Sequence, residues 1–474
     1  MRSRSVVASL LADLVEQGHE VSLLDVSHFT TISQDLPPAW IARSLGHRVF
    51  PHRFEEVIGE LGVTHHRLQP QGERATTSHP AERWSECLQA IDSELLTYFR
   101  VPNLSQESAA MVRMRTLLTN QALETYAALS SWLDEFQPDE VLIPNGRTSR
   151  QKIARVAAEE LHIPVRFYEN GRARKNAYYL GTTQPHDRLA SQKEVPALTG
   201  SLSEQDISEL AEQWLGERMN PSSTTNSFST AWDSREEVPP HQRTKPLAVF
   251  FPSSTDEFLA FGPMWNIDEW ESPFHAFDLI MGVLEKRGCE LVLRFHPSLG
   301  EKSRQYFLQT VSDIKRLQSR YPDLVVYWHN STVNSYDLVS QADYVVVERS
   351  TIGLEANLMG KPVWVNQAAQ WDAIADVRQA LRQSDITEDF LEPWDVDISG
   401  AQRFVAYWML QEHSLRYSWD NWATWDPDAA QWFLRVATLL NDNPWFHRLQ
   451  LLRNAFTAWR NDRFTRRDLA KEVG

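Results

Sequence analysis

Two stretches of this 474-residue chain hold residues of the types and spacing that bind an anionic leaving group. In one, Tyr344-Val345-Val346-Val347 is short, apolar and β-branched, as a buried parallel strand requires, and it runs into Ser350-Thr351-Ile352-Gly353-Leu354-Glu355-Ala356. A helix starting at Ser350 and Thr351 presents unpaired N–H groups and a positive dipole end, both favourable to phosphate. On this reading Gly353 lets a ligand approach the backbone, and Glu355 accepts hydrogen bonds from ribose hydroxyls. An N-capped helix with an acidic first turn and no ligand would read the same way. In the other stretch, Glu290-Leu291-Val292-Leu293 leads to Arg294-Phe295-His296-Pro297. Side chains alternate along a strand, so Arg294 and His296 share a face. Ligands of open α/β sheets bind beyond the carboxyl ends of the strands, where a guanidinium and an imidazole suit a nucleotide phosphate. The competing reading pairs Arg294 with a helix carboxylate and has His296 merely end the strand.

The elements that must position these residues alternate between strand and helix. Glu20–Asp25, Glu140–Pro144 and Pro164–Tyr168 read as strands, with helices over Met111–Phe136 and Arg150–Leu161. Alternation at these lengths predicts a parallel sheet covered on both faces within residues 1–190. Residues 191–244 turn polar, with Pro221-Ser222-Ser223-Thr224-Thr225-Asn226-Ser227 and Pro239-Pro240, and read as a linker or mobile loop. A second α/β domain is expected over 245–400, and a tryptophan-rich helical segment over 401–474. Ser3–Gln17 reads as a helix stopped by Gly18, where such a domain normally begins with a strand. The expectation is a natural start upstream, or a domain that has shed its first strand.

Together, Arg294-Phe295-His296-Pro297, Ser335-Tyr336-Asp337-Leu338 before Ala342-Asp343, and Ser350-Thr351 through Glu355 to Gly360-Lys361-Pro362 resemble bacterial capsule and surface-polysaccharide glycosyltransferases of the GT-B architecture. Ser253-Ser254-Thr255-Asp256-Glu257, following Leu247–Phe251, also fits that family, as do the turns Asn145-Gly146-Arg147 and Glu169-Asn170-Gly171. The resemblance covers 140–190 and 245–370. It implies two Rossmann-like domains facing a cleft, with the second binding a nucleotide-sugar donor through Ser253, Ser254, Asp256, Glu257, Arg294, His296, Ser350, Thr351, Gly353 and Glu355. It also implies no catalytic metal or other cofactor, and a glycan or lipid-linked glycan acceptor of a growing surface polysaccharide. Asp256 and Glu257 would bind sugar hydroxyls or cap the next helix.

Transfer requires a stabilised leaving phosphate and an acceptor hydroxyl relieved of its proton. His296 serves the former; Glu169, at the end of its strand and before Gly171, is the expected base. Orienting the following turn is its alternative role. Asn145 and Arg147 would hold the acceptor, or stabilise their own turn. His65-His66 and His186-Asp187 are weaker base candidates, and Asp395-Val396-Asp397 and Asp426-Pro427-Asp428 read as turns. The net charge of −16 argues against nucleic acid as a partner. Two cysteines, Cys87 and Cys289, make no disulfide framework and suit a reducing cytoplasm. No signal peptide or apolar run of membrane-spanning length is visible. Residues 445–474 form a basic amphipathic pattern that would pack as a helix or touch an anionic membrane. The runner-up activities are a glycerol- or ribitol-phosphate transferase of the teichoic-acid type and a catalytically silent nucleotide-binding scaffold. A sugar 2-epimerase fits less well, since Gln367–Gln370 stand where an Arg-Glu-rich loop is expected.

Overall fold

The computed structural model describes residues 2–26, 58–68, 81–99, 104, 109–174, 176–219, 244–253, 265, 269–272, 274–296, 299–300, 302, 304–387 and 389–416. These form two compact α/β units.

The first unit contains the described residues up to Arg172, Asn176–Pro185 and the described residues 412–416. Helix α1 (Arg2–Glu16) stops at Gly18, whose φ of 86° is a conformation that L side chains rarely adopt. Strands β1 (Ser22–Asp25) and β2 (Thr64–Arg67) pair in parallel. Helices α2 (Ala81–Phe99) and α3 (Ala109–Phe136) precede β3 (Val141–Pro144), α4 (Ser149–Glu160), β4 (Val165–Asn170) and β5 (Ala177–Gly181). The expected all-parallel sheet is instead mixed. In the four-stranded sheet of β3, β4, β5 and β12 (Glu412–Ser414), only β3 and β4 run in parallel; β5 returns antiparallel to β4, and β12 pairs antiparallel with β5. A short connection from β4 through Gly171 to β5 leaves no room for a crossover helix, and only antiparallel neighbours can be joined so closely. Gly171 is required there, because a Cβ would lie 2.7 Å from the Ala177 carbonyl oxygen.

The second unit is a six-stranded parallel sheet in the order β11-β10-β9-β6-β7-β8. Two helices lead into it: α5 (Arg188–Thr199) and α6 (Glu204–Met219). Residues 191–219, expected as linker, are therefore almost wholly helical. Their polar composition is that of helices burying one narrow stripe, with Ile207, Ala211 and Trp214 on the core side of α6. The chain continues through β6 (Leu247–Phe251), α7 (His275–Lys286), β7 (Glu290–Arg294), α8 (Arg304–Arg320), β8 (Val325–Tyr327) and α9 (Ser335–Gln341). Then come β9 (Tyr344–Val347), α10 (Thr351–Leu358), β10 (Val363–Val365), β11 (Arg378–Gln379) and α11 (Ser399–Leu410).

Strand residues segregate by parity, as a sheet covered on both faces demands. Leu247, Val249, Val292, Val345 and Val347 share one core with α6, α9, α10 and α11. Ala248, Phe250, Leu291, Leu293 and Val346 share the other with α7 and α8. Fully burying a Val, Leu or Phe contributes roughly 1.5–3 kcal/mol, so these two cores fix the sheet and the strand ends that follow it. Trp408 belongs to the first of them, edge-on to Trp214 and Phe404, and acts in packing. The remaining C-terminal tryptophans (Trp419, Trp422, Trp425, Trp432, Trp445 and Trp459), the basic pattern of 445–474 and Asp426–Asp428 lie outside the described residues. Among the described residues no helix is long and apolar enough to cross a membrane.

Candidate functional site

In the second unit the chain winds outward from β6 to β7 and β8, then returns to β9 on the other side of β6. The carboxyl ends of β6 and β9 thus form a topological switch point, where open α/β sheets open a crevice for ligands. The loops there are tied together. Ser253 N–H donates to Glu348 Oε2 at 2.5 Å, and Arg349 N–H donates to Ser253 Oγ at 3.3 Å. Arg349 Nε donates to Gln367 Oε1 at 2.8 Å. Both Glu348 and Arg349 are buried. Neither was expected as a site residue, although a charged dipeptide directly behind a four-residue apolar strand was a readable signal. Ser254, Asp256 and Glu257 lie outside the described residues.

Ser350 occupies the N-cap position of α10 with extended backbone, but its side chain makes no capping bond. Thr351 is exposed at the first helical position. The helix start thus keeps donor groups available, as the phosphate reading requires. Gly353 has a different purpose from the one expected. A Cβ there would meet Trp371 Cη2 at 2.6 Å and Val347 Cγ2 at 2.8 Å, so the missing side chain is filled by an indole rather than by a ligand. Glu355 is 1% exposed, and its Oε1 accepts from Nε and Nη2 of Arg218, both at 2.8 Å. Its carboxylate is engaged within the protein. Gly360-Lys361-Pro362 is likewise structural. Gly360 ends α10 with φ 72°, and Lys361 Nζ donates to the Ser340 and Ala342 carbonyls at the end of α9.

On β7, Val292 packs in the α10-side core while Leu291, Leu293 and Phe295 pack in the other. Arg294, two residues beyond Val292, is 7% exposed. Its guanidinium donates to the carbonyls of Phe295, Trp328 (2.9 Å) and Ser331 (3.2 Å), and its Nε has no hydrogen-bond partner. The helix carboxylate of the alternative reading is not among these contacts. Burial alone pulls the Arg294 pKa down to about 10. His296 keeps solvent access, yet the protein packed about its imidazole and the cations Arg294, Lys302 and Arg218 push its pKa down to about 4. That shift favours the neutral imidazole near pH 7, which can donate and accept hydrogen bonds.

In the first unit the two predicted turns meet. Asn145 and Gly146 both have positive φ, 53° and 75°, the region that Asn and Gly tolerate best. Asn145 Nδ2 donates to Glu169 Oε2, and Asn170 N–H donates to Glu169 Oε1 at 2.9 Å. Glu169 belongs to β4 rather than following it, opposite Tyr179 of β5. Arg147 and Thr148 donate their backbone N–H groups to Gln151 Oε1, each at 3.0 Å, at the start of α4. Close by, Ser149 Oγ donates to Glu94 at 2.8 Å, and burial raises the Glu94 pKa. Glu94 was not anticipated, since nothing within its own helix marks it. Among the weaker candidates, His66, His186 and Asp187 make contacts within the fold. His66 packs edge-on against Trp132 and Phe136, the His186 carbonyl accepts from Trp265, and Asp187 caps α5. Asp397 accepts from Ser399 N–H in a turn.

No protein-family model matches the chain, and no curated protein matches it. Among solved structures it is similar to the beta Kdo 2,4 transferase KpsC of Thermosulfurimonas dismutans, at 14% identity and TM-score 0.36, over 56% of this chain and 79% of that one. It is similar to UDP-GlcNAc 2-epimerase from Neisseria meningitidis bound to UDP-GlcNAc, at 15% identity and TM-score 0.31, over 74% and 92%. The glycotransferase of kitacinnamycin matches at 15% identity and TM-score 0.25, over 85% and 90%. Overlaps this partial carry no argument about activity, so the function is read from the residues.

Proposed function

We propose that the chain is a glycosyltransferase that moves a sugar from a nucleotide-activated donor to a glycan or lipid-linked glycan acceptor of a surface polysaccharide. The observation that carries this reading is the β6/β9 switch point, with the uncapped start of α10 behind β9 and Arg294 and His296 ending the neighbouring β7. A helix N-terminus, a buried guanidinium without a carboxylate and a neutral imidazole together suit a phosphate that gains charge as the glycosidic bond breaks. Ser253, Ser350 and Thr351 are the hydroxyl donors of this site, and Ser254, Asp256 and Glu257 are proposed to meet the sugar. Gly353 contributes by admitting Trp371 beneath the helix. His296 donates a hydrogen bond to the leaving phosphate as charge accumulates there, while the proton of the acceptor hydroxyl passes to Glu169.

For the acceptor, Asn145, Arg147 and Glu169 in the first unit are the proposed contacts, with Glu169 as the base. Its two oxygens already accept amide bonds, which orient the carboxylate and leave further lone pairs for a hydroxyl. The proposed setting is the cytoplasm, without a catalytic metal.

The test is a thermal-shift panel of CMP, UMP, UDP, GDP, TDP and CDP-glycerol on wild type and on Ser350→Ala/His296→Ala. A nucleotide at a hundred times its dissociation constant adds about 2.7 kcal/mol. Stabilisation of wild type by one nucleotide, lost in the double variant, is the expected result. Response to CDP-glycerol alone would point to the polyol-phosphate transferase, and no response from folded protein would refute the donor site. Donor-dependent transfer that disappears in Glu169→Gln separates an enzyme from a scaffold that only binds.

A further inference from the structure

We propose that Arg218 reads the donor's phosphate, and that Glu355 holds Arg218 in place rather than receiving ribose hydroxyls. This rests on the nucleotide-donor reading above and gives its site a residue outside every motif. Arg218 lies in the polar stretch that resembled a linker, but it ends α6 with its guanidinium fixed from three sides. Glu355 Oε1 accepts two of its N–H groups, the Tyr336 hydroxyl is hydrogen-bonded to it, and it lies 5.6 Å from the centre of the Trp214 ring. Such a fork, held by a buried carboxylate and a ring, is preorganised for a planar or tetrahedral oxyanion.

Charge balance points the same way. Arg218, Arg294 and Lys302 all bear on His296, and Arg294 and Lys302 are both buried. Glu355 compensates one of these cations. Among the described residues Arg294 is bonded only to neutral carbonyls and its Nε has no partner. Buried cations are costly without a counter-charge, and a phosphate brings it. Thr351 and Glu355 are four residues apart on α10 and so share a face of the helix, which sets Arg218 one turn below the helix start. A ribose seeking Glu355 would compete with a buried ion pair for the same carboxylate. A phosphate leaves the pair intact and adds to it.

The experiment compares calorimetric affinities of CMP, UMP and UDP with those of cytidine and uridine. It uses full-length wild type, Arg218→Gln, Arg218→Lys, Glu355→Gln and the charge-neutral pair Arg218→Gln/Glu355→Gln, which avoids stranding a lone buried carboxylate. Arg218→Gln and the double variant are expected to bind the stabilising nucleotide about tenfold or more weaker, with nucleoside affinity unchanged and partial recovery in Arg218→Lys. An unchanged nucleotide-to-nucleoside ratio in the folded double variant would overturn the assignment and leave the donor site standing. Loss of nucleoside affinity in Glu355→Gln alone would return the carboxylate to ribose and also overturn it. Wild type that binds no nucleotide would refute the donor site itself, and this inference with it.

Discussion

The two α/β units treat the carboxyl ends of their strands in opposite ways. In the second, buried charge stands at the end of β7 (Arg294), directly behind β9 (Glu348 and Arg349) and further along the chain from β10 (Asp372). In the first, the acidic groups beside β3 and β4 accept hydrogen bonds from neutral donors, Glu169 from the amides of Asn145 and Asn170 and Glu94 from the Ser149 hydroxyl, with the cations Arg150 and Arg147 also acting on Glu94. Burying ions is costly, and a sheet carries them only where pairs or a ligand compensate. The cations Arg294, Lys302 and Arg218 about His296 match a phosphate, and the amide-oriented Glu169 matches an acceptor hydroxyl. The contrast accords with the proposed division of donor and acceptor between them.

The strongest challenge to this contrast is to strand a charge in the second unit. Arg188 Nη2 lies 2.7 Å from Asp372 Oδ1, and the Asp372 side chain has no exposure. Arg188→Met is expected to destabilise this unit by about 3–5 kcal/mol, measured by urea unfolding. A loss below about 1 kcal/mol would mean that its buried charges are not mutually dependent. Next comes packing beside the proposed phosphate site. Gly353→Ala forces a methyl against Trp371 and should cost about 1–3 kcal/mol, while Trp371→Leu in the same background should recover part of it. In the first unit the expected effects are smaller. Asn145→Gly keeps the positive φ and loses the Glu169 bond, at about 1 kcal/mol. Asn145→Ala adds left-handed backbone strain of about 1 kcal/mol. Equal effects of the two variants would show that the turn conformation does not matter.

The smallest effect is on pH. His296 titrates near 4 in the folded protein and near 6.5 when unfolded. Between those values the unfolded chain binds the extra proton, so stability rises with pH across that window. His296 is exposed, so solvent screens much of this shift, and His296→Gln should flatten the slope only slightly, as seen in melting temperatures between pH 4.5 and 7. Bound nucleotide should raise the histidine pKa, visible in its ring proton chemical shifts.

Much of the second unit was readable because its strands are unbroken apolar runs, buried on both faces, each followed by a turn signal. The first unit was misread at β5. Antiparallel return strands and crossover strands have the same local composition, and only the short link through Gly171 distinguishes them. The helices of 188–219 were hidden by narrow apolar stripes in polar sequence. At the site, types and positions of Arg294, His296, Ser350 and Thr351 were legible, but their partners were not. That Glu355 meets Arg218, 137 positions away, or that Gly353 receives Trp371, depends on tertiary packing that no spacing encodes. The Gly360-Lys361-Pro362 motif was legible for a different reason: it ends one helix and ties down another.

The sheet of the first unit includes a strand, Glu412–Ser414, that is synthesised after the sheet and helices of His186–Gln411 in the second unit. Until the ribosome has passed that point, β5 presents an open edge with unpaired backbone groups, and Tyr178 lacks the His413 ring that stacks on it at 5.2 Å. The order of synthesis therefore opposes the order of the chain. The inserted unit, built from contiguous crossovers, is ready to fold first, and the unit that begins the protein closes last. A chain halted at Gln411 would display that edge, so truncation and slow translation past this point are where aggregation of the nascent protein should concentrate.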